Sequence, residues 1–258
     1  MSLLETIVVG NIFAFILIFS RIGSAVMIMP GIGDSFVSPE VRLLFALALS
    51  FVVTPVLAPS LPPAPDTAVG YILLVGSETI LGIFIGTVMR TLMAALDTAG
   101  MIVSMQTGFA NVMVLNPAAG SQGSIAGALY SMTGTLLIMV TDLHHMLLAT
   151  IFQSYEVFPA STSLPDTGEM LEVIAKIIDL AFKTGFQMAI PFIVVGILMQ
   201  IGFGLLGRLM PQVQVFFLAL PAQVIIGLIT LTMTFSAGIL LWLGQMESTM
   251  INFLPPVK

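Results

Sequence analysis

Apolar residues run through the chain in long stretches that polar residues interrupt only briefly. Six stretches stand out, at residues 7–29, 43–57, 69–93, 125–140, 174–206 and 213–242. A helix that crosses the roughly 30 Å hydrocarbon core of a bilayer needs about 20 predominantly apolar residues. The pattern therefore predicts an all-α, polytopic membrane protein.

The lengths of these stretches depart from that of an ordinary spanning helix. The stretches that begin at Leu43 and Ile125 reach only about 23 to 24 Å at the helical rise of about 1.5 Å per residue. Those that begin at Ile174 and Val213 are longer than a span and carry Pro191 and Pro221, which predicts bent helices or helical hairpins. Helices that pack mainly against other protein would explain these lengths. The alternative is a mismatch that helix tilt and local thinning of the bilayer absorb.

One segment, residues 105–123, breaks the apolar pattern between Asp97 and Gly127. It is too apolar for an ordinary water-exposed loop and too rich in glycine and proline for a helix. Backbone of this kind is tolerated at membrane depth only where it packs inside protein or lines a wet cavity. We therefore predict that this segment lies on a pathway through the protein or closes one.

Composition and charge narrow the class of protein. Of the 258 residues 58% are hydrophobic and only 8% are charged, against roughly 25% charged in soluble domains. The net charge is −6 and no basic run is present, so nucleic-acid binding is excluded. The chain has no cysteine, which excludes disulfides and thiolate metal sites. Since the first residues carry no positive charge, we expect the first apolar stretch to remain in the protein.

Motifs for chemistry are missing from the sequence. Neither His-Glu-x-x-His nor Gly-x-Ser-x-Gly occurs, so we predict no enzymatic activity, no cofactor and no metal. Gly202-Phe-Gly-Leu-Leu-Gly207 has the spacing of a dinucleotide fingerprint, but it follows an apolar helix pattern instead of a strand. We predict close helix packing there, as at Gly82 and Gly86.

The only two histidines, His144 and His145, are adjacent. Neighbouring residues lie about 100° apart on a helix and cannot both face one metal ion without help from another segment. With Asp142, they are better interpreted as a polar helix end at the membrane edge.

Several charged residues lie within or beside the apolar stretches: Arg21, Arg42, Glu78, Arg90 and Asp97. Each costs at least about 2.5 kcal/mol in the bilayer unless it is paired or hydrated. Arg90 and Asp97 share one helical face about 10 Å apart along the axis, so they can join one polar network without pairing directly. The partner of Glu78 must come from another segment or chain, since none lies within one helical turn. For Arg21, Arg42 and Glu78 we favour interhelical pairing over ion transport.

A series of short motifs follows in a fixed order along nearly the whole chain. These are Arg21, Pro30-Gly-Ile-Gly33, Pro39-Glu-Val-Arg42, Glu78-x-x-x-Gly82-x-x-x-Gly86, Gln106-x-Gly108, Asn116-Pro117-x-x-Gly120, His144-His145 and Gly207-Arg208-Leu-Met-Pro211-Gln212. In this order and spacing they resemble the FliR family of flagellar export-gate membrane proteins, whose relatives serve virulence type III secretion. Family members often carry aspartate in place of Asn116 and asparagine in place of Gln214.

The resemblance implies a membrane subunit of the flagellar type III protein export apparatus, in the flagellar basal body of the bacterial inner (cell) membrane. It implies a single domain over residues 1–258, built of kinked helices and helical hairpins and similar to a fusion of the FliP-type and FliQ-type folds. The implied partners are FliP-type and FliQ-type subunits and a FlhB-type subunit. Together they would form the channel through which unfolded flagellar proteins pass.

In this family, the part corresponding to residues 105–123 resembles a loop that plugs the closed pore. The resemblance implies that apolar side chains seal the axis, namely Phe109, Val112 and Met113, with Met105 and Leu115 as neighbours. It also implies turns and hinges at Gln106, Gly108, Asn116, Pro117 and Gly120. A narrow apolar constriction excludes ions by dewetting.

Two other functions stay open. A small-solute secondary transporter is favoured by helices broken at Pro191 and Pro221. A purely structural assembly subunit, including one of a virulence type III secretion system, would pack residues 105–123 against its partners without gating.

Overall fold

The computed structural model of the chain describes residues 3–110, 124–161, 167–210, 212 and 214–253. Within this part of the chain, seven α-helices and no strand are present. They are α1 (Leu3–Ile28), α2 (Pro39–Leu57), α3 (Ala68–Gln106), α4 (Ile125–Val140), α5 (Leu143–Val157), α6 (Thr167–Leu209) and α7 (Val215–Phe253). The predicted all-α class is confirmed.

The length and apolar character of its helices identify the chain as an integral membrane protein. Among the described residues, five helices are long and apolar enough to cross a membrane, namely α1, α2, α3, α6 and α7. The number rises to six if the bent pair of α4 and α5 forms one span.

Several helices are longer or shorter than a bilayer span, but α2 is not: it has 19 residues and is long enough to cross, so the short length expected from the stretch 43–57 is wrong, because the helix begins four residues earlier, at Pro39. The three long helices, α3, α6 and α7, contain 39, 43 and 39 residues, which at about 1.5 Å per residue makes each about 58 to 65 Å long. By contrast α4 has 16 residues and falls short of a span. Pro191 and Pro221 lie inside continuous helices, so the predicted alternative of hairpins at these prolines is wrong. A proline removes one backbone hydrogen bond and bends a helix, but reversal of the chain needs a loop.

The chain divides into two compact units. Unit 1 comprises Met1–Thr91, Ile138–Ile177 and Thr249–Lys258, and unit 2 comprises Leu92–Leu137 and Ile178–Ser248. Four helices, α3, α4, α6 and α7, run from one unit into the other, so the boundary does not fall in a linker. The single domain expected over 1–258 stays a prediction.

The core of unit 1 forms where α1 crosses α3. Gly82 faces the backbone of Arg21, and a Cβ on Gly86 would lie 2.9 Å from Cβ of Ile28. Missing side chains thus let the two helix backbones approach, as predicted for these two glycines. A Cβ on Gly202 would have nothing within 4 Å among the described residues, so the close packing predicted there is not made within this part of the chain and otherwise stays a prediction.

The core of unit 2 surrounds the C-terminal half of α3. Trp242 of α7 is almost fully buried, and its indole Nε1 donates a hydrogen bond of 2.9 Å to the carbonyl oxygen of Leu92. Leu96, Ala99 and Val103 are completely buried along the same helix. This packing fixes the helix from which residues 105–123 depart.

Candidate functional site

The segment singled out in the sequence begins where α3 ends. Gln106 is the last residue of α3, and the next residue, Thr107, is buried. Gly108 then adopts φ +77°, a left-handed conformation that glycine takes without the steric cost of a side chain. The chain therefore turns at Gly108, while the role of this turn as a hinge stays a prediction.

The apolar residues around this turn differ in exposure. The side chain of Met105 is 66% exposed, whereas Phe109 is half-buried. The other residues predicted for the plug lie outside the described residues: Val112, Met113, Leu115, Asn116, Pro117 and Gly120. Their assignment stays a prediction.

Two helices of unit 2 hold the end of α3. Gln223 of α7 donates a hydrogen bond of 2.7 Å from Nε2 to the carbonyl oxygen of Gln106. Gly196 of α6 lies against the Gln106 side chain, and Gly227 of α7 lies so close to Thr107 that a Cβ there would sit 2.6 Å from the threonine Cβ. The end of α3 therefore rests on two glycines, Gly196 and Gly227, and is capped by one amide.

The chain returns to α3 at the start of α4. The backbone N–H of Ala126 donates to Ser104 Oγ at 3.2 Å. Gly100 and Gly127 cross in direct backbone contact, since a Cβ on Gly100 would lie 2.8 Å from the carbonyl carbon of Ala126 and closer still to Gly127. Both ends of the intervening segment are thus attached within unit 2.

A second polar site lies in the core of unit 1. Arg21 and Glu78 are both completely buried, and two N–H···O bonds of 2.7 Å join Nε and Nη2 of the guanidinium to the two carboxylate oxygens. Such two-pronged pairing is the strong geometry for arginine and carboxylate. α1 therefore supplies the partner that Glu78 lacks within α3.

The same guanidinium reaches the end of α5. Nη1 donates to Ser154 Oγ at 3.2 Å, and Nη2 donates to the carbonyl oxygen of Phe158 at 2.9 Å. The ring of Tyr155 stacks 3.9 Å from the guanidinium carbon. Arg21 thus ties α1, α3 and the C-terminal end of α5 together, an arrangement suited to holding helices in place.

The predicted interhelical pairing of Arg42 is wrong. Its guanidinium reaches back along the chain and donates to the carbonyl oxygens of Val37 at 2.7 Å and Asp34 at 2.9 Å. Arg42 lies in the first turn of α2, so its long side chain can satisfy the loop before the helix.

The remaining charged candidates have separate partners. Arg90 pairs with the Asp34 carboxylate, whereas Asp97 accepts a hydrogen bond from Ser131 of α4. Two members of the C-terminal motif, Arg208 and Gln212, are exposed. Its third member, Pro211, lies outside the described residues.

Asp142, His144 and His145 form the one group in the described part of the chain with several possible metal ligands close together. One ligand atom from each lies within 4.8 Å of the others. A zinc ion with bonds of about 2.0 to 2.1 Å would need them about 3.3 Å apart, and the side chains of Asp142 and His145 are mostly exposed. His144 Nδ1 lies 3.3 Å from the carbonyl oxygen of Ile138. These contacts fit a polar start of α5, and the absence of a metal stays a prediction.

Sequence reasoning assigned no role to Gln223, Gly196 and Gly227. An amide within an apolar stretch is a signal for a helix contact, and Gln223 carried it. Gly196 and Gly227 carried no such signal: Gly196 and Gly202 look alike in the sequence, although within the described part of the chain only Gly196 has a neighbour at its Cβ position.

Comparison with known proteins gives one consistent result. Residues 12–249 match the model of the family described as bacterial export proteins, family 1. The chain is 36% identical to the flagellar biosynthetic protein FliR of Caulobacter vibrioides, over 90% of this chain and 92% of the relative. It is 28% identical to FliR of Bacillus subtilis over 86% of each chain. It is also 32% identical to the Yop proteins translocation protein T of Yersinia pestis, over 58% of each chain.

Proposed function

The chain belongs to the bacterial export proteins, family 1, and on this premise we propose that it lines an export channel that residues 105–123 close at rest. At the coarser level, it is a membrane subunit of the flagellar type III export apparatus, which assembles with other export components. The passing molecules in this proposal are unfolded flagellar proteins. The chain itself performs no covalent chemistry.

Exposed apolar surface supports assembly into a larger complex. In the most apolar 18-residue stretches of α6 and α7, only 17% and 11% of the residues are buried. Each helix is about twice as long as the roughly 30 Å hydrocarbon core, so lipid cannot cover the whole of either one. On α6, exposed apolar side chains extend from Leu171 to Leu209, farther than the hydrocarbon core reaches, and we assign the cover of the excess to FliP-type, FliQ-type and FlhB-type subunits in the basal body of the inner membrane.

A further uncovered surface lies between α1 and α2 in unit 1. It is a cavity of about 490 Å³ lined by Ile12, Phe15, Phe51 and Pro55, with Asn11 and Thr54 at its polar points. Phe51 is 74% exposed. Such a surface suits a neighbouring helix of the same complex.

The attached ends of residues 105–123 are the observation that carries the plug. A segment that closes a channel at rest and opens it during export needs ends that stay attached and a turn whose backbone can change conformation. The cap by Gln223, the helix crossing at Gly100 and Gly127, and the left-handed turn at Gly108 supply these. The continuous α6 and α7 remove the broken helices that favoured a secondary transporter.

Ion leak in cells that assemble the complete complex tests the proposal. Replacing Phe109 and Met113 by glycine, or shortening 108–120, is expected to raise the leak because the apolar constriction then stays wet. Met210→Gly is the matched control, since Met210 is exposed and lies outside the helices. An unchanged leak in fully assembled complexes would remove the plug role. Lost assembly with normal tightness would instead favour a purely structural subunit.

A further inference from the structure

We propose that the two ends of residues 107–124 form a base that stays fixed during export, and that Gln223, Gly196 and Gly227 position it. The proposal rests on the proposed channel function. It assigns positioning roles to three residues outside the plug segment itself.

The cap on α3 is the first observation. The last carbonyl groups of a helix have no partner within it, and the Gln106 carbonyl receives its hydrogen bond from Gln223 at 2.7 Å. The preceding turn is closed by Thr107, whose N–H and Oγ1 both donate to the carbonyl oxygen of Val103. The backbone carbonyl groups of Val103 and Gln106 at the end of α3 therefore have hydrogen-bond donors, which stabilises this helix end against unwinding.

The second observation is the close contact of the end of α3 with two glycines, one on α6 and one on α7; we call this contact the seat. A Cβ on Gly196 would meet Gln106 Oε1 and lie 3.1 Å from Gln106 Cδ. A Cβ on Gly227 would lie 2.6 Å from Thr107 Cβ. A side chain at Gly227 would overlap Thr107, and one at Gly196 would displace the Gln106 amide; both glycines are buried. The same helices carry Gly202 and Gly244 with nothing within 4 Å among the described residues, so the seat is local and not a general feature of the helices.

The third observation is that the returning chain is fixed on the same part of α3. Ser104, which receives the N–H of Ala126, lies two residues before Gln106. Ser124 Oγ in turn accepts the N–H of Gly127 at 2.7 Å and caps the start of α4. Both ends of the segment are therefore attached at one turn of α3.

Cysteine cross-linking tests this directly because the chain has no cysteine. The Cβ position of Gly196 lies 3.5 Å from Gln106 Cβ, within the roughly 3.5 to 4.5 Å of a disulfide. We expect the variant Gln106→Cys/Gly196→Cys to cross-link in assembled complexes in membranes, and Gln106→Cys/Gly202→Cys not to. Secretion by the first variant is expected to be the same before and after reduction of its disulfide.

Two results would overturn the fixed base. Failure of the first pair to cross-link would mean that α3 does not end against Gly196. Secretion that stops on oxidation and returns on reduction would mean that the base must open. The ion leak of the Phe109 and Met113 variants does not depend on either cross-linking result. An experiment can therefore refute the plug without refuting the fixed base, or refute the fixed base without refuting the plug.

The role of Gln223 has its own readout. Adding Gln223→Ala to the cross-linking variant removes the cap and is expected to slow disulfide formation about two- to tenfold, the equivalent of one net hydrogen bond. Gln200→Ala is the control, because Gln200 is exposed on α6. An equal rate in both backgrounds would contradict a positioning role for Gln223.

Discussion

Separate removal of each partner from the buried Arg21 and Glu78 pair is predicted to be among the most damaging changes in unit 1. In Arg21→Met the carboxylate of Glu78 stays completely buried and loses both of its 2.7 Å bonds. In Glu78→Leu the acceptors left to the guanidinium among the described residues are Ser154 Oγ and the Phe158 carbonyl. Breaking a buried pair from one side costs about 3 to 5 kcal/mol.

The double variant Arg21→Met/Glu78→Leu is predicted to be far less harmful than the sum of the singles. It removes both charges at once, and the new side chains fill much of the same space. What remains is the Phe158 carbonyl without its donor, worth about 1 to 3 kcal/mol. Independent single costs would sum to about 6 to 10 kcal/mol, so the coupling between the two positions should exceed about 3 kcal/mol.

Chemical unfolding of the detergent-solubilised chain, followed by helical circular dichroism, measures these differences. Arg208→Met serves as control, because Arg208 is exposed in the last turn of α6 and should change the free energy of unfolding by less than about 0.5 kcal/mol. Singles that each cost under about 1 kcal/mol would refute the role of Arg21 in joining the three helices. A double variant as unstable as the summed singles would refute the coupling.

Two further predictions use contrasts within α3 and are checked by the same unfolding measurement. Arg90→Ala should cost under about 1 kcal/mol, because half of the Arg90 side chain is exposed and an exposed ion pair contributes little; a loss as large as that of Arg21→Met would contradict this. Gly82→Ala should destabilise by about 1 to 3 kcal/mol because its methyl group would overlap Ser24 and the backbone of Arg21. Gly76→Ala, with nothing within 4 Å in the described part of the chain, should instead stabilise by about 0.5 to 1 kcal/mol, and equal effects at the two glycines would be evidence against the crossing.

Much of the helical layout could be predicted from the sequence, because apolar length and helix-breaking residues act locally. The predicted stretch 125–140 coincides with α4, and the break expected at Gln106 is where α3 ends. The number of residues in each apolar stretch was also informative. It identified the spanning helices, and it indicated that some helices are longer or shorter than the bilayer is thick. The prolines did not distinguish a bend from a reversal, because a single proline bends a helix whether or not a loop follows.

The partners of the charged residues could not be predicted, because they depend on which helices meet. The sequence showed that Glu78 needed a partner from elsewhere, but Arg21 and Arg42 were equally available by composition. Arg42 is taken up by the carbonyl groups of the loop that precedes its own helix. Arg21 points into the crossing of α1 with α3, where Glu78 lies, and no local pattern distinguishes these two cases.

The contacts that attach the two ends of residues 105–123 are made within this chain, whereas the apolar faces of α6 and α7 lie open. Gln223, Gly196 and Gly227 all belong to the same unit as the end of α3, so the base can form before any partner arrives. The exposed apolar faces of α6 and α7 have no such internal cover among the described residues, because only 17% and 11% of their most apolar stretches are buried. It follows that attachment of the two ends of the segment is a property of the single chain, while the apolar faces of α6 and α7 need cover from outside the described residues. Cross-linking of the base in the isolated subunit, combined with leak measured only in the full assembly, would separate the two.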